Sequence, residues 1–198
     1  MPYLPKHRRQ LGEGVRVPGR ARGSMDCGPC SWEVLADKQS AGRVKPGRVQ
    51  LRKRANVSGP QPTNIDDAWR ALNGYPVPGR TKLRYYRKRR VAQVRRAVRL
   101  GRPVQLAIAY FDWNKTQRRA TGDPNFLGGH SVAIVAERRR GPGVEWLLYD
   151  SLDDRRRPGI PAGARWVLRR HVISAAVALA GGNRNGIWAG VMGGGKPR

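Results

Sequence analysis

Three apolar runs between residues 103 and 152 constrain the fold of this chain more than any other feature. PVQLAIAYFDW (103–113), HSVAIVAERR (130–139) and VEWLLYDSL (144–152) are rich in β-branched and aromatic residues and too short for buried helices of ordinary length. The first is apolar at nearly every position, as a strand covered on both faces must be. The last two flank Gly141-Pro142-Gly143, whose spacing and turn chemistry predict a hairpin, so the chain must build an antiparallel sheet. NKTQRRATGDPNFLGG, between the first and second runs, reads as a loop.

Helical patterns precede this sheet. From Gly28, PCSWEVLADKQSAG places Trp32, Leu35 and Ala36 on one face and stops at Gly42. Thr63 or Asn64 caps a second helix, IDDAWRALNGY, with Asp66 and Asp67 in its first turn. RYYRKRRVAQVRRAVRLG contains a third, with Val91, Val94, Val98 and Leu100 as its apolar stripe and Gly101 as its stop. The intervening GRVKPGRVQLRKRANVSGPQP reads as a loop with one short strand. The final stretch, RWVLRRHVISAAVALAGG followed by IWAGVMGGG, reads as a strand and a small apolar helix. Helices first and antiparallel sheet after predict an α+β fold. At 198 residues this is one domain over 25–180, between a basic extended arm (1–24) and a Gly-rich tail (181–198).

Forty Lys and Arg against 13 Asp and Glu give a net charge of +27, a field that attracts polyanions. The densest clusters are Arg87-Lys88-Arg89-Arg90, Arg95-Arg96 and Arg138-Arg139-Arg140, which are the expected polyanion-binding residues. No zinc finger, RNP strand or helix-turn-helix pattern accompanies them, so contact with nucleic acid would be sequence-independent. The amino-terminal stretch has no apolar core of a secretory signal, and no run approaches the length of a membrane span. The expected location is therefore a reducing cytoplasm, or a larger particle packed from it.

The residues with the most chemical content are in GSMDCGPCSW (23–32). Cys27-Gly28-Pro29-Cys30 has the spacing of a dithiol redox pair, but no buried strand leads into it. A zinc half-site would need a second ligand pair, and His7, His130 and His171 are dispersed, so neither metal nor cofactor is expected. A nucleophile needs less. Cys27 stands at a helix N-terminus, which favours the thiolate, and His130 opens a strand just after Gly128-Gly129. Antiparallel pairing about Gly141-Pro142 sets His130 opposite residue 153, or nearer 151 if a bulge intervenes, so Asp150, Asp153 and Asp154 are all within reach. Cys27, His130 and Asp150 are the expected catalytic residues: thiol, proton carrier and orienting carboxylate.

DCGPCSWEVLA, GGHSVAIVA and LLYDSLDDRR resemble the Cys, His and Asp boxes of papain-like cysteine peptidases, most closely the bacteriocin-leader (double-glycine) peptidase branch. They are also similar to peptidase-like proteins of actinobacterial phages. The resemblance implies a papain-like fold, with Asp26, Cys27, Gly28, His130 and Asp150 at matching positions, and a peptide or protein substrate. Two positions depart from the pattern. Arg20-Ala21-Arg22-Gly23 stands where the family has a glutamine that stabilises the oxyanion, leaving the Cys27 N–H as the identifiable donor, and Ser151 replaces a proline after Asp150. Two functions are expected from these features. One is amide hydrolysis by a phage-encoded, virion-associated peptidase. The other is a catalytically silent virion protein that binds DNA or other virion subunits through its basic surface.

Overall fold

The computed structural model describes residues 3–5, 26–58, 61–110, 129–153 and 157–193. Most of the expected arm, residues 111–128, Asp154 to Arg156 and the last five residues lie outside these.

The chain has a mixed helix and antiparallel-sheet fold. Three helices come first: α1 (Cys27–Ser40), α2 (Arg48–Ala55) and α3 (Ile65–Leu72). A two-stranded ribbon of β1 (Pro76–Val77) and β2 (Arg80–Lys82) follows, then β3 (Tyr85–Lys88), α4 (Val91–Arg99) and β4 (Val104–Ala109). The expected hairpin is β5 (Gly129–Arg140) and β6 (Gly143–Tyr149), followed by β7 (Ala164–Leu168), α5 (Arg169–Leu179) and β8 (Ala189–Met192). The main sheet has six strands in the order β3-β8-β4-β5-β6-β7, each neighbour antiparallel.

Both faces of the sheet are covered, as the uninterrupted apolar character of its central strands requires. On one face, Ala133 and Val135 of β5 and Leu147 and Tyr149 of β6 pack with Trp32 and Leu35 of α1, Leu51 of α2 and Leu72 of α3. On the other, Val132, Ile134, Trp146 and Leu148 pack with Val94 and Val98 of α4 and Val172 and Ala176 of α5. Helices are therefore not confined to the front of the sequence or to one side of the sheet.

The departures from the sequence reading have physical causes. α2, expected as loop and short strand, is a helix whose inward face is half arginine. Leu51 and Ala55 are buried beside Arg48 and Arg52, which are neutralised by Glu33 (3.8 Å) and Asp26 (2.6 Å) of the α1 segment, and hydrophobic periodicity does not register such a face. α4 starts only at Val91, because the tyrosines and basic residues ahead of it form β3, and Leu100 is 58% exposed and so outside the buried stripe. Asn64, not Thr63, caps α3. Its side chain accepts from the N–H groups of Asp66 and Asp67, and the Asp67 carboxylate accepts from the Asn64 N–H, a reciprocal capping box.

β8, read with the C-terminal tail, lies between β3 and β4, so the sheet draws on residues beyond 180. Its Gly190 conceals the strand from propensity, yet Tyr85 requires it. A Cβ on Gly190 would stand 1.6 Å from the Tyr85 hydroxyl, which crosses the strand there to reach Gln105.

Within the hairpin, Arg140 pairs with Gly143, and the register holds back to Ala136–Leu147. An irregularity between Ile134 and Ala136 then shifts it by one, so that Ala133 is level with Tyr149. Without that extra residue His130 would share a sheet face with Asp153. With it, the alternation of side chains puts His130 and Asp150 on one face.

Gly190→Ala should destabilise the fold by about 1–3 kcal/mol, the usual range for an overpacked core, with the loss read as a lower urea midpoint at unchanged slope. Unchanged stability would mean that Tyr85 leaves this position at little cost.

Candidate active site

The site is assembled at the N-terminus of α1 and the start of β5. Asp26, the N-cap residue, makes no side-chain cap to the helix. Its fully buried carboxylate instead accepts from Arg52 Nε (2.7 Å) and forms an ion pair with Arg52 Nη2 (2.6 Å). The same guanidinium donates to the Gln61 carbonyl (3.2 and 3.3 Å), tying the segment before α3 to the start of α1. Thr63 lies so close to Gly28 that a Cβ there would be 2.0 Å from its Oγ1, so the residue after Cys27 has to be glycine. These contacts fix where α1 begins, and hence where Cys27 stands.

His130 Nε2 lies 2.8 Å from Asp150 Oδ1, with both side chains buried. This leaves Nδ1 for the Cys27 sulfur, to which His130 also hydrogen-bonds. Asp150 is itself held on both oxygens: Leu152 N–H donates to Oδ1 (3.0 Å), and Arg165 of β7 reaches Oδ2 (3.4 Å). The Tyr110 ring meets the imidazole edge-on, with centroids 5.5 Å apart and planes at 79°. Asp153, the other carboxylate within reach by sequence, is instead paired with Arg157 (2.8 Å) and Arg165 (3.4 Å); Asp154 lies outside the described residues.

The electrostatics follow from this geometry. Burial pushes the Cys27 thiol up, but the hydrogen bond and charge of His130 and the N–H groups of Ser131 and Gly28 outweigh it and hold the thiol below its ordinary value. Burial would depress His130, yet the Asp150 carboxylate and the Cys27 sulfur raise it to about 10. Burial would likewise raise Asp150, but the His130 and Arg165 cations hold it well below the usual carboxylate range. The sulfur, the imidazole and the carboxylate stand in a row, each favouring the charged form of its neighbour. Cys30, one turn along α1, is buried in the core, where desolvation pushes its thiol well up and keeps it neutral; both cysteines are free.

Several supporting residues carry no motif that marks them in the sequence. The Ser131 N–H reaches the Cys27 sulfur. A buried chain of hydrogen bonds runs from Tyr85 OH to Gln105 Oε1 (2.7 Å), from Gln105 Nε2 to Ser131 Oγ (2.9 Å), from Ser131 Oγ to Ser31 Oγ (3.2 Å), and from Ser31 Oγ to the Cys27 carbonyl (2.9 Å). It links β3, β4, β5 and α1 to the backbone of the cysteine. Only contacts across the fold reveal these roles, as they do those of Arg52 and Arg165.

The basic residues selected by sequence separate into two regions. Arg87 pairs with Asp66 (2.9 Å) and lies over Trp69, Lys88 lies over Tyr86, and Arg89 over Trp188, all at the β3 edge of the sheet. Arg138 is paired with Glu145 (2.8 Å) and covers Trp166, while Arg95, Arg139 and Arg140 line hollows on the α4/α5 face. Arg90 is the N-cap of α4, and Arg96 is exposed on it. No group of three or more His, Cys, Asp or Glu side chains among the described residues is arranged to hold a metal ion.

No family model matches the chain. No curated protein matches it in sequence. Solved structures do. A proCathepsin B S9 from Trypanosoma congolense is 14% identical, matching 98% of this chain and 72% of its own at a TM-score of 0.56. The digestive procathepsin L 3 of Tenebrio molitor larval midgut is 15% identical, with coverages of 96% and 76% and a TM-score of 0.52. A structure described by the antibody cross reactivity between the mite allergens Blo t 1 and Der p 1 is 14% identical, with 96% and 67% covered and a TM-score of 0.51. The chain thus has a papain-like fold, and its structural neighbours are papain-like cysteine peptidases.

Two outcomes follow. Arg52→Met should cost about 3–5 kcal/mol by taking the guanidinium away from the buried Asp26 carboxylate, measured by urea denaturation; a loss under about 1 kcal/mol would show that the pair does not organise the start of α1. The raised His130 contributes stability that is complete below its unfolded value of about 6.5 and is lost as pH climbs through about 10. The depressed Asp150 contributes stability above about 3.9 that is lost as pH falls. The stability gap between wild type and His130→Gln should therefore be widest between about pH 4 and 6.5 and close toward pH 10; a gap constant over that range would contradict the ion pair.

Proposed function

We propose that this chain is a papain-like cysteine peptidase, cleaving a peptide or protein amide bond through Cys27, His130 and Asp150. The observation that carries the proposal is the continuous contact from the Cys27 sulfur through the His130 ring to Asp150 at a helix N-terminus. The Cys27 thiolate attacks the carbonyl carbon, and the carbonyl oxygen takes up the negative charge. The Cys27 N–H is the donor identified for that oxyanion, in a chain that lacks the upstream glutamine. The intermediate collapses as the C–N bond breaks and His130 delivers its Nδ1 proton to the leaving amine, leaving a thioester. His130 then takes a proton from water as the resulting hydroxide attacks the thioester, and the C–S bond breaks, releasing the acid product and regenerating the Cys27 thiolate. Asp150, fixed by Arg165 and the Leu152 N–H, keeps the imidazole oriented and stabilises its charged form.

The DCG, GGH and YD boxes and the charge of +27 support the finer assignment: a relative of the double-glycine leader peptidases, encoded by an actinobacterial phage and acting in the virion or the host cytoplasm beside other virion proteins. The missing glutamine favours a second reading, in which the same fold is a silent virion component that binds DNA or other subunits through its basic surface.

The deciding measurement is the alkylation rate of Cys27 by iodoacetamide across the pH range, followed by peptide mass spectrometry. The wild-type rate should already be high well below the ordinary thiol value of about 8.5, and His130→Ala should abolish the low-pH reactivity. A Cys27 that titrates as an ordinary thiol whether or not His130 is present would refute the peptidase and leave the silent reading.

A further inference from the structure

We propose that the sheet face opposite α1 carries a second site, a groove that binds the phosphate backbone of a nucleic acid duplex without reading its sequence. The groove encloses about 850 Å³ between α5, the turn joining β5 to β6, and α4. Five arginines from four separate parts of the fold converge on it: Arg95 of α4, Arg140 at the end of β5, Arg169 and Arg170 opening α5, and Arg184 between α5 and β8. An adjoining hollow of about 400 Å³ shares Arg95 and Arg169 and adds Arg99 and Arg139, making seven. Among the described residues lining the two, the one acid is Glu137, already engaged by Arg169 (3.5 Å) and by the Trp146 N–H (2.8 Å).

These seven guanidiniums face only two carboxylates, Glu137 beside Arg169 (3.5 Å) and Glu145 beside Arg140 (3.9 Å), and the surplus charge repels itself unless an anion is supplied from outside. The Arg95 Nε is buried with no hydrogen-bond partner, an arrangement that costs stability in the free protein. α5 adds to the same field, since its N-terminus opens beside the groove with no side-chain cap and no acid in its first turn.

The chemistry of the lining selects the ligand. Among the described residues all the lining cations are arginines, whose planar fork binds phosphate oxygens in pairs. Among those same residues no aromatic side chain lines either hollow, which gives the bases of a single strand no platform on which to stack. What remains is backbone contact to a duplex. A lipid surface fits less well. The apolar lining residues, such as Val144, Leu168 and Ile173, are buried or half-buried, and the exposed large apolar residues Val49, Trp69, Tyr86, Leu100 and Trp188, which belong to α2, α3, β3, the C-cap of α4 and the approach to β8, line neither hollow. The clusters most prominent in sequence, Arg87 to Arg89, are engaged with Asp66 and exposed aromatic rings at the sheet edge and are not part of this groove.

The test is fluorescence anisotropy of the full chain with a short random-sequence duplex DNA, between about 50 and 200 mM salt. Binding should weaken steeply with salt. The triple variant Arg140→Gln, Arg170→Gln, Arg184→Gln, at three exposed positions, should weaken binding at least tenfold. It should also make the slope of log affinity against log salt shallower by about 2 to 3, at about 0.9 for each phosphate no longer neutralised. The variant Arg87→Gln, Lys88→Gln, Arg89→Gln, which removes the same charge at the other edge, should bind within about twofold of wild type. Should the first triple melt early, Arg170→Gln alone should still shift the slope by about 0.9. Equal losses from the two triples would overturn the groove in favour of diffuse charge. So would no duplex binding at low salt, tighter binding of a single strand of the same sequence, or tighter binding to phosphatidylserine-containing vesicles that the first triple abolishes.

Discussion

The burial of α1 is the constraint on which the rest of the structure depends. Every residue from Gly28 to Asp37 is buried, acids included. A helix enclosed on all sides cannot leave Glu33, Asp37 or the neighbouring Asp26 uncompensated, because an unpaired buried carboxylate costs more than its packing returns. Arg48 and Arg52 of α2 supply two of the partners, and the Tyr3 hydroxyl supplies another by donating to Asp37 (2.5 Å). α2 and residues 3–5 are thus held against the domain by the charges of the helix they cover. The Tyr149 hydroxyl reinforces this by donating to the Pro5 carbonyl (2.7 Å).

That enclosure gives the cysteine its character. A thiol in an apolar setting is pushed toward neutrality, as Cys30 is. Cys27, three residues earlier, has the imidazole of His130 and two backbone N–H groups directed at its sulfur, and the balance reverses. The same low-dielectric surroundings that penalise one charge strengthen a row of alternating charges. The hydrogen-bonded chain from Tyr85 to the Cys27 carbonyl serves the geometry, holding α1 in register with three strands.

The two faces of the sheet divide the chemistry. The α1–α3 face uses Arg48 and Arg52 internally, matched to Glu33, to Asp26 and to the Gln61 carbonyl. The α4/α5 face gathers arginines with little opposing charge. The excess of basic residues is thus partly structural, as Arg48 and Arg52 are, and partly concentrated on the α4/α5 face, where Glu137 and Glu145 offset only a few of the arginines.

The sequence alone determined that the chain builds an antiparallel sheet preceded by helices, where Cys27 and His130 stand on those elements, and that a carboxylate near the end of β6 reaches the histidine. These are properties of short segments: periodicity of two, a glycine-proline turn, a helix start. Strand geometry read from the sequence leaves Asp150, Asp153 and Asp154 all within reach of His130, and Asp150 is expected from its place in the Asp box. In the fold the choice between Asp150 and Asp153 rests on one extra residue in β5 near Val135, which changes which carboxylate shares a face with His130. The sequence did not expose α2, whose inner face is charged, or β8, whose glycine makes room for Tyr85. Arg52, Arg165, Ser131 and Gln105 take their roles from partners 26, 15, 104 and 26 positions away (Asp26, Asp150, Cys27 and Ser131). Pairings over such distances have no local pattern, and only the packing of the helices on the sheet decided them.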